Sequence, residues 1–321
     1  MSGAIIRNDL ARPPTPLRAW LAVIVLSVCY VFSLLDRLIV SLLVEPMKHS
    51  LSLSDVQIGL LQGSAFAIFY ATMGVPLGRL ADRVNRRNMI AWAIAFWGLC
   101  TAASGLARGF VGLLAARVGV GAGEAALTPA AYSIIGDSFK GDRLGRAMGV
   151  YTVGGAIGSG IALLIGGAVY RRIEAMGPLL LPGVGELLPW QTTLVVVGLP
   201  GLLLALAVRL LVHEPVRSTA VTDTNFTAVL STIRGKAHLY VPAFAAYAAI
   251  AGLAYGFVSW APTFLSRTFS LGPAEVGAKF GPVMLVAGLL GPLVAGTVSD
   301  RLHARHGVNA PFLMMKIFLV L

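Results

Sequence analysis

The sequence predicts an all-α membrane protein built as two halves of six helices, and three observations carry that expectation. Of its 321 residues, 57% are hydrophobic and 12% charged, with a mean hydropathy of +0.81. Soluble domains carry about 25% charged residues, so this chain lacks the polar surface to coat a soluble globule. The apolar residues gather into runs of about 20, enough to cross about 30 Å of hydrocarbon. Finally, one stretch recurs later without a gap, in a register that places Ser52 on Ser270.

The elements follow in order. Residues 1–19, with Arg7, Arg12, Arg18 and three prolines, read as a cytoplasmic N-terminal segment. The first run, 20–43, is too long for a signal-peptide core and reads as a retained helix. Further runs lie at 55–78, 88–107, 109–136, 146–170, 190–212, 239–266 and 275–299, and a ninth begins at Pro311. Ser54 followed by Gln57 forms a capping box opening the second run. Trp20 and Trp190 stand where interfacial aromatics would anchor. The longest polar interval, 213–238, divides the chain into a six-helix half at 20–212 and an incomplete half at 239–321, with that interval as a central cytoplasmic loop.

The formal charge of +11 raises the question of nucleic acid. The basic residues sit in short clusters between apolar runs, with no continuous basic face, which excludes that partner and assigns the charges to topology. With the N-terminus inside, the inner segments hold sixteen Lys and Arg and the outer segments six, so the positive-inside bias puts both charged loops described next in the cytoplasm. Cys29 and Cys100 fall inside apolar runs and read as small buried hydrophobes. No CxxC metal site, Ser/His/Asp set or strand-borne glycine loop is present. "GVGAGE" at 119–124 lies in an apolar run rather than a βαβ unit, so neither enzyme chemistry nor a cofactor is expected.

The repeat matches Ser52 with Ser270, Gly59 with Gly277, Gly63 with Gly281, Gly78 with Gly296, Asp82 with Asp300, Arg83 with Arg301 and Arg87 with Arg305. The second run thus recurs as the eighth. Parallel repeats of six helices are a transporter plan, with the substrate site between halves and alternating access by rocking one against the other. On that plan twelve helices are expected in a complete protein, and this chain ends within the ninth.

The charged stretch "GRLADRVNRR" at 78–87 resembles the Gly-x-x-x-Asp-Arg-x-Gly-Arg-Arg signature of the major facilitator superfamily, with Asn85 at the second glycine. "RVGVGAGEAA" in the fourth run looks like the same superfamily's Arg-x-x-x-Gly-x-Gly motif. Together with "DRLIVSLLVEPMKHSLSLSDVQIGLLQGSAFAIFYA", the combination is similar to the spinster-like branch, whose animal members export sphingosine-phosphate or lysophospholipids. The resemblance implies the superfamily fold and a secondary transporter. In physical terms Asp82 can accept charge-assisted hydrogen bonds from an arginine or a helix N-terminus. Gly78, Asp82, Arg83, Arg86 and Arg87, with Asp300 and Arg301 in the repeat, are therefore expected to latch the cytoplasmic ends in the outward-open state. The plainer reading, a solvated positive-inside loop, explains the arginines but not an Asp-Arg pair repeated in register.

Four ionisable residues lie deep in runs: Asp36 and Arg37 in the first, Arg117 and Glu124 in the fourth. Each costs about 2.5–3.5 kcal/mol in a bilayer unless it faces a cavity or partner, so they are read as functional. Arg117 and Glu124 are about 10.5 Å apart along one helical face. Asp36, about 24 Å from Trp20 along its helix, falls near the depth of Arg117. Proton coupling is expected at Glu124 with Asp36 as partner through Arg117 and Arg37 beside them; a static ion-pair network is the alternative. Arg117 also suits an anionic headgroup. Tyr247, Tyr255, Ser259 and Trp260 in the seventh run offer polar tips on apolar bodies, as a cavity wall for an amphipathic ligand or as ordinary packing. The resulting expectation is a monomeric, proton-coupled transporter for an amphipathic or lipid-like molecule in a bacterial inner membrane, its partners being substrate, protons and bilayer. A symporter for a small organic anion, and a non-transporting sensor or truncated pseudo-transporter, stand as alternatives.

Overall fold

The computed structural model describes residues 15–183, 185–217, 226–307 and Leu313. Arg7, Arg12, the middle of the central loop and the ninth run apart from Leu313 lie outside the described residues. The first span is Pro16–Leu42. The second runs from Asp55–Gly59 through a π-helical turn, Leu60–Ser64, into Ala65–Ala81. The third is Arg86–Gly105 and the fourth is Phe110–Glu124 continued by Leu127–Ser138. The fifth is Asp142–Met176, and the sixth Pro189–Gly198 continued by Pro200–Leu211. The seventh is Ala237–Phe269 and the eighth Pro273–His306. All but the third are long and apolar enough to cross a membrane by length and composition; the third carries Arg86, Arg87 and Asn88 in its first turn.

Local chemistry explains the boundaries. Ser54 Oγ accepts from Gln57 N–H at 3.2 Å and Gln57 Oε1 from Ser54 N–H at 2.9 Å, closing the expected capping box. The fourth run was expected as one helix, yet it breaks at Ala125 and Ala126. Pro129 lacks the N–H that would bond the Ala125 carbonyl and its ring crowds that carbonyl, so the helix cannot pass through undisturbed. Pro200 divides the sixth span in the same way. The all-α expectation misses one small exception: Leu179–Leu181 pairs antiparallel with Gly185–Leu187 between the fifth and sixth spans, turning through Gly183 at φ +79°. Trp190 also departs from its reading as an interfacial anchor, being 2% exposed among Leu194 and Val197.

The repeat extends to the backbone. Ser52 and Ser270 are the two non-glycine residues with positive φ among those described, at 51° and 52°, each closing a helix before the start of a repeated span. The first span packs along the fifth and the third against the fourth and sixth. The fifth span also carries the main contact between halves, along the eighth. There a Cβ on Gly277 would lie 2.5 Å from the Leu163 carbonyl oxygen and 2.8 Å from Gly167 Cα, so the two backbones touch and only small residues fit. Phe226–Gly235 forms a short helix in the central interval.

Candidate functional site

The break in the fourth span sets the position of Glu124, which ends the helix Phe110–Glu124 and is buried. Arg37 Nε donates to Glu124 Oε2 at 2.6 Å, with side-chain exposures of 16% and 0%. The Arg37 guanidinium also lies over the rings of Phe66 and Tyr70, 4.5 and 4.8 Å from their centroids. Two aromatic faces and one carboxylate thus hold a cation that would otherwise be costly in a low-dielectric interior. Phe66 is shared, since the Arg117 guanidinium stands 5.8 Å from it on the way to the first span.

Adjacent residues on a helix point about 100° apart, so Asp36 and Arg37 serve different neighbours. Arg37 faces the second and fourth spans. Asp36 is fully buried toward the third, where Trp97 and Thr101 are its polar neighbours. Trp97 Nε1 and Thr101 Oγ1 are the donors set against the Asp36 carboxyl, although neither meets strict hydrogen-bond geometry, and no direct ion pair reaches that carboxyl among the described residues. Arg117 donates through Nη1 to the main-chain oxygen of Asp36 at 3.2 Å, and its Nε is unpaired. The four buried charges therefore form one cluster, in which the direct ion pair is Arg37 with Glu124 while Arg117 meets Asp36 at its backbone.

The seventh span closes this cluster from the other half. Tyr255 Oη donates to the Gln62 carbonyl oxygen at 3.0 Å, in the π-helical turn of the second span. Gln62 is 4% exposed, and both polar atoms of its side chain lack partners. Single π turns recur at functional sites because they free backbone groups and re-aim side chains. Ser259 is buried, the Trp260 ring lies against Gly59, and Tyr247 is exposed farther along the span. Gln62, Phe66, Tyr70, Trp97 and Thr101 escaped the sequence reading because neutral residues in apolar runs carry no signal of their own.

The stretch 78–87 is organised by Arg86 rather than by Asp82. Arg86 is fully buried and donates to Glu214 Oε1 at 2.7 Å, Ser133 Oγ at 2.7 Å, the Pro215 carbonyl at 2.9 Å and Asp137 Oδ2. Arg87 N–H donates to Glu214 Oε2 at 2.8 Å. Arg217 donates to the main-chain oxygens of Ala81, Asp82 and Val84 at the end of the second span. Asp82 is exposed and enters this clamp through its carbonyl. Arg83, Asp300 and Arg301 are exposed, and Gly78 is half-buried in the second span. Acidic Glu214 and Asp137 are the visible sequence signals for this clamp, each an isolated carboxylate at the end of a span.

At the opposite end the halves are tied directly. Arg267 of the seventh span donates to Glu45 Oε1 at 2.7 Å and to both Asp55 oxygens at 2.7 and 3.3 Å, while Lys48 holds Asp55 at 2.7 Å. A planar guanidinium suits this bidentate contact in a way an amide does not. Arg267→Gln is expected to shift the population several-fold toward conformers open at this end. Spin-label distances across the two halves check this, and an unchanged distribution would show the tie to be incidental.

The family model of the Major Facilitator Superfamily matches residues 26–321. The chain belongs to the major facilitator superfamily. It is 33% identical over 321 residues to an MFS-type efflux pump of Mycolicibacterium smegmatis, covering 99% of this chain and 71% of that protein. It is 28% identical to protein spinster homolog 1 of Homo sapiens, covering 88% of this chain and 55% of that one. A solved bacterial homologue of the human lysosomal transporter Spinster, inward-facing and unoccupied, superimposes with a TM-score of 0.76 at 32% identity, over 91% of this chain and 64% of its own. Within the superfamily, the chain is thus similar to spinster proteins. The tie at Arg267 closes the end opposite the arginine-rich loop.

Proposed function

We propose that this superfamily member works as a secondary transporter that couples protons to the movement of an amphipathic, lipid-like molecule by alternating access. The observation that carries the reading is the Arg37–Glu124 pair beside a fully buried Asp36 carboxyl that forms no direct ion pair among the described residues, next to the contact between the two halves. A proton on Glu124, whose Oε1 has no hydrogen-bond partner, neutralises the carboxylate that balances Arg37, so rocking that separates the two exchanges an ion pair for a proton. Phe66, Tyr70, Tyr255 and Trp260 supply apolar faces for a chain, and Arg117 supplies a guanidinium for an anionic headgroup. The arginine-rich end lies on the cytoplasmic side of a bacterial inner membrane by the positive-inside bias. In the outward-open state, Asp82 takes over the tie between halves at that end as Arg267 releases the other. The chain spans 64% of the length of the solved spinster homologue.

A second reading, symport of a small organic anion, draws on the unpaired Arg117 Nε; one relative, 26% identical, is a probable L-galactonate transporter of Escherichia coli. The two readings separate in proteoliposomes loaded with a pH-sensitive dye. Lysophospholipid is expected to drive a proton flux that a hexonate does not. Proton flux with the hexonate alone would reverse the order, and flux with neither would remove proton coupling from the reading.

A further inference from the structure

The second and third spans both stand on the fourth, and toward the arginine-rich end they leave a groove between them of about 630 Å³. Met73 and Leu77 form one wall, Trp92 and Phe96 the other, and Gly123 lies on the floor. Trp92 is 70% exposed and Phe96 51%, so both rings face out of the bundle. In a bilayer such a groove is solvated by acyl chain, because water gains nothing from an apolar wall.

The mouth of the groove is different in kind. Asn85 and Asn88 line it at the start of the third span. Arg87, between Arg86 and Asn88 in the first turn of the third span, is not part of the groove's lining, but its Nε, like Asn88 Oδ1, is buried with no hydrogen-bond partner. The adjoining stretch 78–87 holds four arginines against one aspartate. Basic clusters beside a membrane span attract anionic lipid, and a guanidinium matches phosphate geometry.

We propose that this groove binds one anionic phospholipid, with an acyl chain along Trp92 and Phe96, the phosphate at Arg87 and a headgroup hydroxyl donating to Asn88. Only the choice of leaflet rests on the topology proposed above; the site itself is independent of what is transported. The bound lipid bridges the second and third spans where they do not support one another, next to the loop that Arg86 anchors.

The test is fluorescence quenching of the full chain in phosphatidylcholine vesicles containing a small fraction of brominated phosphatidylglycerol or brominated phosphatidylcholine. Subtracting the signal of Trp92→Phe isolates the groove. Brominated phosphatidylglycerol is expected to quench Trp92 at about fivefold lower mole fraction than its phosphatidylcholine counterpart, the preference one basic residue near the surface confers. Arg87→Gln is expected to abolish that preference while leaving quenching by bulk lipid and the melting temperature intact. Asn88→Leu is expected to lose the advantage of phosphatidylglycerol over brominated phosphatidic acid, which lacks the headgroup hydroxyls. Equal quenching by the two bulk lipids, no quenching of Trp92 by either, or a preference that survives Arg87→Gln would each overturn the assignment. Failure of proton-coupled uptake leaves these quenching readings unmoved, so the two proposals fall separately.

Discussion

Glu124→Gln is expected to abolish proton-driven uptake while sparing substrate binding and energy-independent exchange. Glutamine retains an oxygen that can accept from Arg37 Nε, the 2.6 Å contact that fixes the guanidinium between Phe66 and Tyr70. It cannot exchange a proton, so the site is frozen in one charge state while its shape is preserved. Coupling between sites in proteins is typically about 5- to 150-fold. A loss of at least the lower of these in gradient-driven uptake is expected, with the residual rate independent of pH. Arg117→Ala should damage binding as well, because it removes both the contact to the Asp36 carbonyl and the cation available to an anionic ligand. Asp36→Asn should give a smaller loss with a shifted pH optimum, since its carboxyl adjoins the cluster without entering the Arg37–Glu124 pair. The deciding measurement is proton flux per substrate in proteoliposomes. Normal coupled uptake by Glu124→Gln would leave the four charges as a static network holding the first and fourth spans together.

Those four charges show how far the sequence could be read. Hydropathy located Asp36, Arg37, Arg117 and Glu124 in the same two spans, and helical rise matched the depths of Asp36 and Arg117, because depth depends only on counting residues along an axis. Azimuth does not. Asp36 and Arg37 differ by one position, and which of them meets Glu124 depends on how the second and fourth spans pack around the first. The π turn at Leu60–Ser64, which carries Gln62 toward Tyr255, has no sequence period to mark it. Span number and the repeat were legible because they rest on long periodic patterns, and the repeat reached as far as the left-handed backbone at Ser52 and Ser270. The break after Glu124 was visible in principle, as Pro129 stands one turn beyond it. Arg267 was counted only as an outer charge, since its partners Glu45 and Asp55 lie more than 200 positions earlier, at separations of 222 and 212.

The clamp at Arg86 leads to the largest expected change in stability. Arg86→Ala leaves Asp137 and Glu214, with side-chain exposures of 11% and 21%, facing one another across the space the guanidinium filled. Removing one member of a buried ionic cluster costs about 3–5 kcal/mol because the remaining charges lose their counter-ion while desolvated. Residual access of both carboxylates to water argues for the lower end, about 3 kcal/mol. In a helical membrane protein of this size that corresponds to a fall in melting temperature of about 5–10 °C. Arg86→Lys should recover part of it, because an ammonium keeps the charge but cannot reach Glu214, Ser133, Asp137 and the Pro215 carbonyl from one rigid fork. Asp82→Asn should cost far less, since that residue is exposed and contributes its carbonyl, which the substitution retains. This ordering separates two roles within one ten-residue stretch. Arg86 holds the ends of the third, fourth and sixth spans to the chain beyond them, as a fixed part of one half, whereas the Asp82 carboxyl is exposed at that end. Thermal melts of the three variants in one detergent check the ordering. If Arg86→Ala melts within a degree or two of the parent, the cluster is a solvated surface feature and the rigidity of that half has another source.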